Sequence, residues 1–287
     1  MKPPRFRYLA ADSVEEAVGH LAAHGPEARV LAGGQSLMPL LNRRLVRPSV
    51  IIDISRARDL AYIDLADELR LGAGVTQMAL ERSTPVRRTV PLLAQALAWV
   101  GSVATKNRGT VGGSAAFADP AAEIPAALLA LDARLIATNS SGSRELGASE
   151  FVTGPFRTAL EPDELVTEIR VAPDLPGTRT RFIEVSRRPG GSRAIVGVAL
   201  AARLDDDRTC RSIRIALSGV GEAPIRARGA ERLLIGATIR SGLVREAARA
   251  VNDDMDPPAD ALASRATRRS LAVALVHKGL IAATNAI

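Results

Sequence analysis

Apolar residues recur at helical spacing through DSVEEAVGHLAAHG, residues 12–25. Ser13 fits the N-cap of that helix, with Glu16 three positions on as the second half of a capping box, and Gly25 fits its stop. A strand is expected over Arg29–Ala32, ending in the pair Gly33–Gly34. A short helix then spans Leu37–Asn42, and SVIIDIS after Pro48 reads as a second strand. The order helix, strand, loop, helix, strand predicts a small α/β unit over residues 1–55.

The pattern then restarts. LRLGAGV reads as a strand, TQMALERS as a short helix capped by Thr76, and PLLAQALAWVGS as a helix with Pro91 in its first turn. VATKNRGTVGGSAAFAD reads as a loop carrying a second glycine pair, Gly112–Gly113. Asp119-Pro120 is expected to open the next helix with Asp119 as its cap, before the strands RLIAT and ELVTEIRVAP. DLPG, residues 174–177, marks a boundary. Beyond it come three strand-like runs, RTRFIEVSRR, AIVGVALAARL and CRSIRIALSGV, and then helices near 226–235, 241–252 and 260–283. Strands followed by helices indicate an α+β domain.

Composition narrows the picture. The 287 residues are 47% hydrophobic and 24% charged but only 3% aromatic, so the core is built mainly from Ala, Leu, Val and Ile. That length allows one large domain or two medium ones. The formal charge is +7, and the only lysines are Lys2, Lys106 and Lys278. The arginines are scattered among Asp and Glu, with no long basic run and no interleaved aromatics. This argues for a solvated Arg-rich surface with an anion site or two, and against a nucleic-acid groove. His20 and His24 stand at i, i+4 without a third ligand nearby, and Cys210 is the single cysteine. No metal site, iron–sulfur cluster or internal disulfide is therefore expected in this chain. Any metal-based electron carrier belongs to a partner. The N-terminus has no apolar core of signal-peptide length, and no run of about 18 apolar residues suggests a membrane span. The expected location is the cytoplasm.

The two glycine pairs carry the candidate chemistry. Glycine tolerates positive φ and lets backbone approach closely. A strand ending in Gly-Gly before a helix exposes amide N–H groups that favour an anion. LAGGQS before LMPLLN has that form, and TVGGS offers a second amide run with the hydroxyls of Thr110 and Ser114. Two such loops suit a diphosphate held from both sides; the alternative for each is a tight turn without a ligand. No G-x-G-x-x-G opens a helix, no G-x-x-x-x-G-K-[ST] occurs, and nucleophile motifs are absent.

LAGGQSLMPLLNRRLVRPSVIIDIS, NRGTVGGSAAFADPAAEIPAALLALDA, FVTGPFRTALEPDELVTEI and ADALASRATRRSLAVAL strongly resemble the FAD-binding medium subunits of molybdenum hydroxylases. That group includes the flavoprotein subunits of carbon monoxide dehydrogenase and of xanthine dehydrogenase-type enzymes. The resemblance implies an α+β fold. A two-part FAD-binding domain of the vanillyl-alcohol-oxidase (PCMH) type would occupy residues 1–175, split near 55. A smaller α+β domain of three antiparallel strands and helices would occupy 178–287. It implies that Ala32, Gly33, Gly34, Gln35 and Ser36, with Val30 and Leu31 leading in and Leu37 following, wrap the FAD diphosphate through backbone amides. Gly109, Thr110, Gly112, Gly113 and Ser114 would act from the other side. Val100 and Leu165 would pack near the cofactor, and Glu123 would contact its polar groups. No catalytic side chain and no metal ligand is implied.

One departure bears on the flavin ring. The family usually reads R-R-x-G-D-[FY]-A where this chain has RRPGGSRAIV, so Ser192 replaces the Asp and Arg193 the aromatic. An Arg plane stacks on a ring and stabilises an anionic flavin by charge, or it points into solvent; both readings stay open. The resemblance further implies a relay. A large partner holding a molybdenum cofactor oxidises a substrate, a small partner passes electrons through [2Fe–2S] clusters, and FAD here hands them to an acceptor such as a quinone or NAD. Two rivals remain: a stand-alone FAD-dependent oxidase or dehydrogenase, and a structural subunit without flavin.

Overall fold

The structure is a computed structural model that describes residues 2–188 and 193–284. Ser192, singled out above, lies outside the described residues. The first unit is a three-stranded parallel sheet of β1 (Arg7–Ala10), β2 (Ala28–Leu31) and β3 (Val50–Asp53) in the order β1-β3-β2, with α1 (Val14–His24) and α2 (Leu37–Asn42) as connections. The leading strand β1 escaped the sequence pattern, because RYLA gains its extended form only by pairing with β3 forty residues on. At α1, the Ser13 hydroxyl accepts from the Glu16 N–H at 3.2 Å, while the Glu16 carboxylate accepts from Asp12 N–H at 2.8 Å. The capping box therefore closes one residue earlier than its standard form.

The second unit is an antiparallel sheet in the order β4-β5-β10-β6-β7. Its strands are β4 (Ile63–Leu65), β5 (Leu69–Gly72), β6 (Arg134–Asn139) and β7 (Gly142–Gly147), then, after the small hairpin β8 (Val152–Gly154) and β9 (Arg157–Thr158), β10 (Leu165–Val171). The helices between β5 and β6 are α3 (Gln77–Arg82), α4 (Thr84–Thr89), α5 (Pro91–Leu97), α6 (Val103–Arg108), α7 (Val111–Phe117) and α8 (Glu123–Ala130); α9 (Ala148–Phe151) follows β7. The stretch expected as one loop is thus largely two short helices. Ser102 caps the first, its hydroxyl accepting from Thr105 N–H, and Thr110 caps the second.

The C-terminal unit is an antiparallel sheet, β11 (Arg179–Ser186), β12 (Ala194–Leu204), β13 (Cys210–Ser218) and a two-residue β14 (Ile225–Arg226), backed by α10 (Arg228–Leu234), α11 (Ser241–Ala250) and α12 (Arg265–Thr284). The short β14 adds an edge to the three strands read from sequence. Strand β12 is buried on both faces. Val196, Val198, Leu200 and Ala202 face the cluster formed with α11 and α12, while Ala199 and Ala201 join the core of the second unit. Side chains alternate along a strand, so Val196, Val198 and Leu200 point one way and the small Ala199 and Ala201 the other. The small face lets α8 approach. That helix is apolar all round, with Ile124, Ala126, Ala127, Leu128, Leu129 and Ala130 all buried, as a helix sandwiched between two layers must be.

Polar contacts lock the units together. Gln95 on α5 donates to Thr180 and accepts from Phe182 N–H, and Gly219 N–H donates to Pro120 O at 2.8 Å. Arg226 reaches the Leu129 carbonyl, Asp132 and Glu231, and Glu231 also accepts from Ile215 N–H. Removing Arg226 leaves Glu231, only 4% exposed, without its close bidentate partner and with only the looser Arg228 contact at 3.8 Å. Arg226→Met is expected to lower stability by about 3 kcal/mol or more in urea titration. Arg56→Ala, whose pair with Asp12 is 62% and 67% exposed, is expected to change little.

Candidate functional site

The two glycine motifs meet along a cleft of about 1000 Å³, the upper end of ordinary ligand pockets at roughly 300–1,000 Å³. The first motif enters where β2 ends. Backbone N–H groups of Ala32 through Leu37 have no acceptor among the described residues. Gly34 holds φ 73 and turns this row of donors, and the Gln35 side chain donates to Gly33 O at 3.1 Å. Successive free amides in a turned loop make an anion-binding concavity. Helix α2 is only six residues long, so the loop amides, rather than a helix dipole, carry this capacity.

The second motif differs from expectation. A bridge between Thr76 and Thr110 draws it against the segment after β5. Val111 N–H donates to Val75 O, Gly112 N–H to Ala73 O and Ser114 N–H to Thr110 O. Gly113 N–H is taken by the Thr110 hydroxyl at 3.0 Å. The exposed amide run expected from TVGGS is therefore already used in folding. What the motif offers the cleft is a surface without side chains and the Ser114 hydroxyl. A Cβ on Gly112 would collide with Ala73.

The motifs also touch each other. A Cβ on Gly33 would collide with the Arg108 carbonyl and stand 2.8 Å from Gly109 Cα, and one on Gly113 would lie 3.7 Å from Ala32. Val30, Ala32, Gly33, Gly34, Gln35, Ser36, Leu37, Val100, Gly109, Thr110, Gly112, Gly113, Ser114, Glu123, Leu165 and Arg193 all line the cleft. Leu31 does not. It alternates to the opposite side of β2 and packs under Gly34. Leu165 is buried against α1 and β3, and Val100 against α5.

Sequence reasoning missed several lining residues. Gln77 on α3 is 5% exposed, and its Oε1 is buried without a donor. A polar residue on the inner face of a short helix was its only signal. Asp119 does not cap α8, whose N-cap is Ala122. Instead its carboxylate accepts from Ala121 N–H at 2.9 Å and pairs with Arg193 at 2.6 Å. Arg193 thus sits at the cleft edge, tied to an acid. Phe117 and Phe156 line the cleft beside it.

Glu123, half-buried at the start of α8, faces a buried acid, Glu184 on β11. Burial raises the Glu123 carboxyl above its usual range, its own N–H and the Glu184 carboxyl pull the other way, and Asp119 adds to the rise. Glu184 is 5% exposed, with neither oxygen at full hydrogen-bond geometry to a partner. Burial, then the neighbouring Glu123 charge, pushes it up to about 8. Two acids this close do not both ionise in a dry site. A dinucleotide fits the arrangement: free amides suit a diphosphate, Gln77 Oε1 is a waiting acceptor, and Val30, Leu37, Val100 and Leu165 offer apolar walls.

Two outcomes follow from this geometry. Gly33→Ala is expected to cost about 3 kcal/mol or more, because backbone must move, whereas Gly34→Ala pays about 1–2 kcal/mol for its left-handed φ; both are read by urea titration. Glu184 keeps its proton in the fold up to about 8 but releases it near its ordinary value when unfolded. The native state therefore holds the extra proton between those limits, and stability falls as pH rises through the window, by at most about 1.4 kcal/mol per pH unit. Glu184→Gln is expected to flatten that slope in melting curves taken between acidic and mildly alkaline buffers.

Comparison with known proteins agrees with this architecture. The family model for the FAD binding domain in molybdopterin dehydrogenase matches residues 4–173, and that for the CO dehydrogenase flavoprotein C-terminal domain matches residues 181–283. The chain is 42% identical to the 6-hydroxypseudooxynicotine dehydrogenase complex subunit alpha of Paenarthrobacter nicotinovorans, over 90% of this chain and 87% of that one. It is 34% identical to the carbon monoxide dehydrogenase medium chain of Hydrogenophaga pseudoflava, over 99% and 98%. The solved carbon monoxide dehydrogenase of that organism superposes with a TM-score of 0.95 over 99% of this chain and 98% of its own. Quinoline 2-oxidoreductase from Pseudomonas putida 86 gives 0.93 at 36% identity, over 99% of each chain. With a two-part FAD-binding domain followed by an antiparallel α+β domain, and relatives above 30% identity over nearly its whole length, the chain belongs to the FAD-binding medium subunits of the molybdenum hydroxylases, oxidoreductase subunits of the xanthine dehydrogenase family.

Proposed function

We propose that this protein is the electron-transfer subunit of a heterotrimeric molybdenum hydroxylase. It takes electrons from [2Fe–2S] clusters in a small partner, beside a large subunit holding the molybdenum cofactor, and passes them to an acceptor such as a quinone or NAD. The FAD-binding domain spans residues 1–175 and the C-terminal domain 178–287. The complex works in the cytoplasm; among the described residues no helix is long and apolar enough to cross a membrane. The observation that carries the reading is the row of undonated amides from Ala32 to Leu37, opening on a cleft whose far wall is the second glycine motif.

FAD, when bound, supplies the redox chemistry, accepting single electrons and delivering pairs. The chain's own residues bind and orient it. The Ala32–Leu37 amides hold the diphosphate, and the Ser114 hydroxyl adds a donor from the second motif. Val30, Leu37, Val100 and Leu165 exclude water from the rings. Glu123 contacts a polar group of the cofactor. Arg193, held by Asp119, keeps a positive charge at the rim, where it favours an electron-rich ring. No side chain acts as acid or base on the primary substrate, which binds in the large partner.

The purified chain is expected to carry one FAD, released on denaturation. Co-expressed with its molybdenum and iron–sulfur partners, it is expected to bleach its flavin absorbance when the complex's substrate is added, whereas the chain alone does not. A colourless protein that fails to take up added FAD would overturn the reading. Reduction of the isolated chain by simple alcohols would favour a stand-alone oxidase instead.

A further inference from the structure

The turn between β8 and β9 breaks a local rule. Gly154 pairs with Arg157, so Pro155 and Phe156 form a two-residue connection. Pro suits the first of these positions. The second, at positive φ, ordinarily holds Gly or Asn. Here it holds Phe156 at φ 57, a conformation that crowds the Cβ of any bulky residue. The surroundings enforce it. Phe156 N–H donates to Ala118 O at 2.9 Å, and Ala118 is itself left-handed at φ 50 at the end of α7. Strain of this kind collects where function requires it.

The strained side chain is not buried for its own stability. Phe156 is 53% exposed, yet it lines the cleft. Its ring lies 5.1 Å from that of Phe117, tilted by 55°, within the range of a favourable aromatic pair. Phe117 sits three residues beyond Ser114 on α7, so it lies about one helical turn from the second glycine motif. The Arg193–Asp119 pair stands at the same end of the cleft. An aromatic face has been placed at a backbone cost, half open, on the cleft that the second glycine motif walls.

We propose that Phe156, backed by Phe117, is the face on which one heterocycle of the bound dinucleotide stacks. The proposal rests on the FAD reading above. It makes Phe156 a binding residue that also screens one ring face from water. A flat aromatic offers every heterocycle a π-face, so the shared chemistry covers both flavin and adenine, and ligand fragments separate them.

The test uses the full chain, stripped of flavin and titrated with FAD, FMN and ADP. Phe156→Gly removes the ring and relieves the backbone. Its flavin-free form is expected to melt at or above the wild-type temperature, while FAD affinity falls roughly ten- to hundredfold. Phe156→Tyr restores affinity. A parallel loss for FMN, with flavin fluorescence less quenched in the complex, assigns the face to the isoalloxazine; a parallel loss for ADP with FMN unchanged assigns it to adenine. Affinities for all three ligands within twofold of wild type would overturn the proposal, as would an affinity loss that Phe156→Tyr does not recover. Should the wild-type chain bind no FAD at all, the functional reading itself fails, a result distinct from either.

Discussion

The backbone of Gly33 lies against the carbonyl of Arg108, with no room for one additional carbon between them. This contact joins the end of β2 in the parallel unit to the end of α6 in the antiparallel one. It brings the turned amide row of the first glycine motif opposite the bare surface of the second. The cleft exists because two backbones approach to contact and then diverge. Any side chain at the point of approach would push the units apart, and with them the walls of the cleft.

The two motifs divide their labour unequally. The first leaves its amides unpaired and ready for an anion. The second uses its amides to hold itself to the Ala73–Val75 segment. Unpaired donors in a folded protein are costly unless solvated or bound, so an exposed row of them is informative. Fully paired donors are scaffold. Beneath the second motif, Lys106 is buried and held by Glu81 and the Leu97 carbonyl, which stiffens the turn that presents Gly109. The site is thus pre-organised by hydrogen bonds already made, and ligand binding need not order a long loop.

The C-terminal unit takes part in this geometry. Strand β12 shows alanines to α8 and larger residues to α12, which lets α8 settle between two layers. The first residue of α8 is Glu123, and its buried neighbour Glu184 comes from β11 of the other unit. The acid pair beside the cleft is therefore a product of the packing of the two units, as is the Arg193–Asp119 pair at its rim.

Much of this was legible along the chain. Ser13, Gly25, Thr76 and Pro91 mark helix ends through purely local bonds, and these read correctly. The apolar runs of β2, β3, β10, β11, β12 and β13 stood out because they are long or flanked by turn residues. The glycine pairs pointed to close backbone approach because no other residue permits it. What escaped were features that depend on a distant partner. Strand β1 and the edge strand β14 are set by pairing. Helices α6 and α7 form where Gly-rich sequence argued for a loop, because Thr110 caps one end and Val75 and Ala73 accept the amides. Leu31 alternates away from the cleft by the period of its strand. Asp119 prefers Arg193, seventy-four positions on, to a capping role nearby. The chain alone determined where backbone must be bare and where helices begin and end, since those follow from the residues within a turn or two. Tertiary structure decided which amides remain free, which carboxyls are packed against each other and which aromatic ring faces the cleft, because each depends on what the fold brings against it.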